Sequence, residues 1–117
     1  MAAQFINLEY LEIMTDGDQE MKKTMLELFL DEPVSDIKLL NNLFKQNDIV
    51  TLAFVSHKLK STFAFLGNER LSSLIKSIND NAKNNINIEG IQAQINELQD
   101  LFSLVLEEVK AELKNIN

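Results

Sequence analysis
This chain of 117 residues contains no cysteine, which excludes disulfides and thiolate metal sites. Breakers are scarce too, with three glycines and one proline. Hydrophobic residues make up 45% of the chain, so it can form long helices with little loop between them. No apolar run approaches the roughly 18 residues that cross a bilayer, and the N-terminus has neither the basic nor the apolar region of a signal peptide. A cytoplasmic protein is therefore expected. The net charge of −7 argues against a general nucleic-acid binder, because such proteins neutralise phosphates with clustered Lys and Arg. Glycine-rich nucleotide loops and metal-ligand clusters are missing, so no cofactor of its own is expected. Asp16-Gly17-Asp18 reads as a turn, since the other ligands of a calcium loop do not follow it.

What remains is helical periodicity over a length that suits one domain with one core. Residues 7 to 14 predict a short helix with Leu8, Leu11 and Met14 turned inward, followed by a turn with Thr15 and Asp18 at capping-box spacing. A long helix is expected from 18 to 45, its inward side formed by Met21, Met25, Leu28, Phe29, Ile37, Leu40 and Phe44, and bent or briefly interrupted at Pro33. Asp48 is placed to cap the next helix, which ends at Gly67. Asn68 then caps a helix over 69 to 83 with Leu71, Leu74, Ile75 and Ile78 inward, and the Asn-rich run 79 to 87 reads as its end and a connection. Ile88, Ile91, Ile95, Leu98, Phe102, Val105, Val109 and Leu113 mark a long last helix. No strand signal competes. The expected architecture is all-α: an antiparallel up-down-up-down four-helix bundle with a short extra N-terminal helix, monomeric and spanning 1–117 as one domain.

His57 is the single histidine. On the helix after Asp48, Leu52, Val55, Leu59, Thr62, Phe63 and Leu66 share one stripe, and His57 falls roughly 170° from its middle. The imidazole therefore points to water. Ala53, Ser61 and Ala64, all small, surround it, with Phe54 and Phe65 to one side. The window 50–68 holds Lys58 and Lys60 and no acid, so it carries +2 in a chain of −7 and leaves −9 elsewhere. Lys58 reads as an ordinary solvated lysine. Lys60, three positions from His57, is its neighbour on the helix surface.

The order His57-x-Leu59-Lys60 with a small residue at 61, then Leu66-Gly67 and Leu71, Leu74 and Ile78, resembles the histidine-containing phosphotransfer (HPt) domain family. Upstream, Phe29-Leu30-Asp31-Glu32-Pro33, Ile37 and Leu40 resemble the family's long second helix, and Asn47-Asp48 its turn. Position 61, commonly glycine in the family, is Ser61 here. The resemblance implies that His57 is a phosphoacceptor in a phosphorelay. It would take its phosphoryl group from the aspartyl phosphate of a receiver domain or from a hybrid histidine kinase system, and pass it to a response-regulator receiver. Lys60 would steady the group. Ala53, Phe54, Lys58, Ser61, Ala64 and Phe65 would form the docking patch, and Mg2+ would be supplied by the receiver. For Phe54 and Phe65, packing against the first helix is an equally open reading.

Two other readings compete with a free-standing phosphotransfer protein. One is a four-helix adaptor that binds signalling partners without carrying phosphate; the presence of both His57 and Lys60 disfavours it, because binding alone needs no nucleophile. The other is the phosphoacceptor piece of a larger hybrid or chemotaxis-type kinase, against which stand the initial Met1 and the lack of adjoining catalytic motifs.

Overall fold
A computed structural model describes residues 5–116. Among them are six helices and no strand: α1 (Glu9–Thr15), α2 (Gln19–Leu28), α3 (Glu32–Lys45), α4 (Ile49–Ala64), α5 (Glu69–Asn84) and α6 (Ile88–Ile116). Helices α3 to α6 close a ring of contacts, α3 on α4, α4 on α5, α5 on α6 and α6 on α3, while α2 packs on α6 and α1 on α2. The 29 residues of α6 rise about 43 Å at 1.5 Å each, and the molecule is 43 Å long and 23 by 21 Å across. Helix α6 is thus the spine of the bundle. Its buried residues Ile91, Ile95, Leu98, Phe102, Val105, Val109 and Leu113 are ones the periodicity marks, while Leu101, unmarked, is buried as well and Ile88, marked, is only half-buried. Phe63 of α4 meets Phe102 with ring centroids 5.3 Å apart, and full burial of such a side chain stabilises by about 1.5 to 3 kcal/mol. No helix among the described residues is long and apolar enough to cross a membrane.

Local signals fix most helix ends. The Asp48 carboxylate accepts from the Thr51 amide at 3.1 Å, and the Asn68 side chain accepts from the Leu71 amide at 2.9 Å, each satisfying a donor that the first turn leaves open. Gly67 adopts φ +66°, and a Cβ there would lie 2.2 Å from the Asn7 carbonyl. The segment before α1 lies against this corner. The Asn7 amide donates to Leu66 O at 2.9 Å, Asn68 Nδ2 donates to Phe5 O at 2.7 Å, and Glu108 Oε1 accepts from the amides of Phe5 and Ile6.

Several expectations need correction. The predicted helix 18–45 is two helices, because residues 29–31 form a turn and Pro33 sits in the first turn of α3. A proline there lacks only an amide that has no helical acceptor anyway, so it starts a helix instead of bending one. On α2, Met21 and Leu28 are exposed, and Lys22 and Leu26 are buried in their place. The Lys22 ammonium pairs with Glu12 of α1 and Glu112 of α6, which lets its aliphatic stem fill the seam between three helices. Hydropathy scores lysine as outward, so the predicted stripe was rotated away from the true one. Further along, Leu43 is the buried residue and Phe44 only half-buried. Helix α1 runs to Thr15, whose hydroxyl donates to Leu11 O at 2.9 Å; Asp18 alone caps α2, accepting from the Met21 amide at 3.1 Å. Met14 is exposed and Leu8 half-buried. On α4, Ser56 is buried while Val55 and Thr62 are half-buried. Helix α5 continues to Asn84, so Asn79 and Asn81 are buried helical residues and not a connection.

Candidate functional site
His57 lies exposed at mid-length on α4 and, among the described residues, its side chain has no hydrogen-bond partner within the chain. The helix is anchored from below by Leu52, Ser56, Leu59 and Phe63, all buried, so the imidazole stands on a rigid element with its outer side open. It shares a groove of about 340 Å³ between α4 and α5 with Val50, Ala53, Phe54, Asn79 and Lys83. Phe54 is 73% exposed and forms an uncovered apolar wall.

Beneath this groove Asn79 organises a small polar network. Its Nδ2 donates to the Ala53 carbonyl at 2.9 Å and to Ser56 Oγ at 3.1 Å, and the Ser56 hydroxyl itself donates to the Ala53 carbonyl at 3.0 Å. Asn79 Oδ1 accepts from Lys60 Nζ at 3.5 Å. Asn79 is only 4% exposed, and a buried amide is costly unless its polar atoms are all engaged. Its engagement draws the Lys60 ammonium to the α5 flank of His57. Lys83, four residues after Asn79 on the same face of α5, puts a cation on the wall of the groove itself, which Lys60 does not line. The carboxyl of Asp80 is held below the usual carboxylate range, first by the hydrogen bond that Lys76 donates at 2.9 Å and to a smaller degree by the charges of Lys60 and Lys83.

The opposite flank is built differently. Lys58 pairs there with Glu32 and, at 3.2 Å, with Asp36, both on α3. The hydrogen bond to Glu32, and next the one to Asp36, hold its ammonium above the usual lysine value. Ser61 is exposed and Phe65 half-buried; with Met25, Leu28, Phe29 and Pro33 they line a second groove of about 200 Å³. Phe65 also packs on Tyr10 of α1, ring centroids 5.2 Å apart, so packing against the first helix holds for Phe65 and not for Phe54.

The family model of the Hpt domain matches residues 24–116 of this sequence. The chain belongs to the Hpt domain family. Neither curated proteins nor solved structures gave a match. For an Hpt domain, membership implies histidine phosphotransfer in phosphorelay signalling, and the sequence contains one histidine, His57.

Within this Hpt domain, then, His57, Ala53 and Phe54 share one groove, Ser61 and Phe65 share the other, Ala64 is exposed on α4, and the two lysines diverge to opposite flanks. Sequence reasoning missed Val50, Asn79 and Lys83. Val50 was within reach, since it precedes His57 by seven residues and so lies on the same helix face. Asn79 and Lys83 are brought to His57 only by the packing of α5 on α4.

Proposed function
We propose that this Hpt domain is a phosphorelay intermediate in which His57 receives a phosphoryl group from a receiver-domain aspartyl phosphate and hands it to the aspartate of a response-regulator receiver. The observation that carries the reading is an exposed imidazole on a buried-backed helix, with the Lys60 ammonium drawn to one side of it. In the forward step the lone pair of His57 Nε2 attacks phosphorus in line. The Nε2–P bond forms as the bond from phosphorus to the aspartyl oxygen breaks, and the carboxylate leaves with that electron pair. The ring proton stays on Nδ1. Return to a second receiver runs the same step backwards.

Transfer of this kind depends on positioning and charge stabilisation. His57 supplies the nucleophile and Lys60 a cation; Lys83 adds charge at the groove wall. Two unit charges about 4 Å apart gain about 1 kcal/mol in water and about 4 kcal/mol at the lower effective dielectric of a covered site, so Lys60 matters most in the docked complex. The receiver brings Mg2+. Ala53, Ser61 and Ala64 leave room for its approach, and Phe54 and Phe65 offer it apolar contact. We read the bundle as up-down-up-down, with α1 as an addition: the links between successive helices from α3 to α6 have three or four residues, which favours antiparallel neighbours. Residues 5–8 are strapped to Leu66, Asn68 and Glu108, which favours one domain over the whole described chain. The protein is taken to act as a monomer in the cytoplasm, beside its receivers and the hybrid kinase that charges them.

Label transfer from phosphorylated receivers tests this. Acid-labile, alkali-stable phosphate is expected on the wild type and none on His57→Gln; failure of every receiver in a broad panel to label the wild type leaves the adaptor reading instead. Lys60→Ala is expected to slow transfer about tenfold, equivalent to about 1.4 kcal/mol, while changing receiver affinity much less. Equal transfer rates remove Lys60 from its role.

A further inference from the structure
The two flanks of His57 carry opposite charge. On the α5 side stand Lys60 and Lys83, and Asp80 nearby is already paired with Lys76. On the α3 side a single lysine, Lys58, faces two carboxylates, Glu32 and Asp36, which leaves an excess of negative charge. Asp36 is the sheltered partner, its side chain 14% exposed, while Glu32 at 59% is open to a visitor. These carboxylates edge the second groove, whose lining is mostly apolar, with Met25, Leu28, Phe29, Pro33 and Phe65 beside the hydroxyls of Ser61 and Thr62. Ser61 on the same groove is one helical turn, about 6 Å, from His57. A standard interface covers about 800 Å² on each partner. A patch of that size centred on the imidazole takes in the His57 groove and, through Ser61, reaches the second.

We propose that the α3-side groove is the specificity element of the docking face. It receives an aliphatic side chain from the receiver, and Glu32, backed by Asp36, selects a receiver that carries a lysine or arginine beside that side chain. This rests on the reading of receivers as partners. The incoming cation competes with Lys58 for Glu32, and the acidic phosphate pocket of the receiver comes to rest over Lys60 and Lys83. The charge asymmetry thereby fixes the direction in which a receiver lies across α4, since a receiver turned end for end would meet like charge on both flanks.

The test uses the full chain with His57→Gln, which docks without accepting phosphate, and receiver domains from the same genome activated with beryllofluoride, titrated at low and at physiological salt. For a receiver with the basic side chain, Glu32→Lys is expected to weaken binding about tenfold and Glu32→Gln about threefold. Reversing the receiver's lysine or arginine to glutamate is expected to restore affinity for Glu32→Lys. Helical circular dichroism and the melting temperature of both variants establish that they are folded. Unchanged affinity in folded Glu32→Lys, or no restoration by the reversed receiver, overturns the proposal while leaving receiver docking intact. Sedimentation showing a dimer that Glu32→Lys dissolves overturns it in favour of a second copy of this chain as occupant. If no activated receiver binds, the receiver reading itself fails and the proposal falls with it.

Discussion
Asn79 carries neither charge nor reactive atom, yet it fixes the flank on which Lys60 stands. It touches no partner in the proposed transfer and acts through Lys60, as a positioning residue. Asn79→Ala is expected to cost about 1 to 2 kcal/mol, from lost hydrogen bonds and a small cavity, and to slow phosphoryl transfer as well. The rate loss separates its two roles: if Asn79 works through Lys60, the double variant Asn79→Ala, Lys60→Ala transfers no more slowly than Lys60→Ala alone, whereas additive losses mean that it acts independently. At this scale the outward exposure of His57 and the place of Lys60 one turn along from it were legible, because both sit on one helix and their angular relation follows from counting. It did not disclose Asn79, which lies in an asparagine-rich run with no periodic mark and gains its partners from a different helix.

At the scale of elements, the corner between α4 and α5 joins three local devices: the Gly67 turn, the Asn68 cap and the segment laid over them. Gly67→Ala places a side chain at φ +66° and drives its Cβ to within 2.2 Å of Asn7 O, so the backbone of the strap must move. A loss of about 2 kcal/mol or more is expected, measured by urea denaturation; a change under about 0.5 kcal/mol would show the strap to be dispensable. Helix ends such as these were legible because a cap is written in three or four adjacent residues. The break before Pro33 was legible only as a bend or a brief interruption within one helix, since proline tolerates the first turn of a new helix as readily as it disrupts an old one. The inward face of α2 was misread for a further reason: a lysine that buries its stem and pairs its head has the composition of a surface residue and the position of a core one.

Over the whole molecule, α6 spans the full length of the bundle, and Lys22 ties it to α1 and α2 together. Bonding to Glu12 first, and also to Glu112, raises the Lys22 ammonium above the usual lysine value despite the opposing effect of burial. A folded value above the unfolded one means that this stability is complete below the ordinary lysine pKa of about 10.4 and is lost as pH rises through the higher folded value. Lys22→Met is therefore expected to lower stability by about 1 to 2 kcal/mol at neutral pH, between exposed and fully buried ion pairs, and to flatten the fall in melting temperature above about pH 10. An alkaline profile parallel to wild type would count against the triad. The general architecture was legible because four apolar stripes on one short chain have few ways to bury themselves. Which helix neighbours which was not written in any one of them.

Glu108 has a consequence in time. It accepts from the amides of Phe5 and Ile6 across 103 and 102 positions of sequence, so during synthesis this half of the clasp on residues 5 to 7 must wait for α6, whereas the bonds to Leu66 and Asn68 are available earlier. A chain terminated before Glu108 keeps residues 5 to 7 tied to the α4–α5 corner alone. Only a chain that carries α6 therefore fastens this segment at both places.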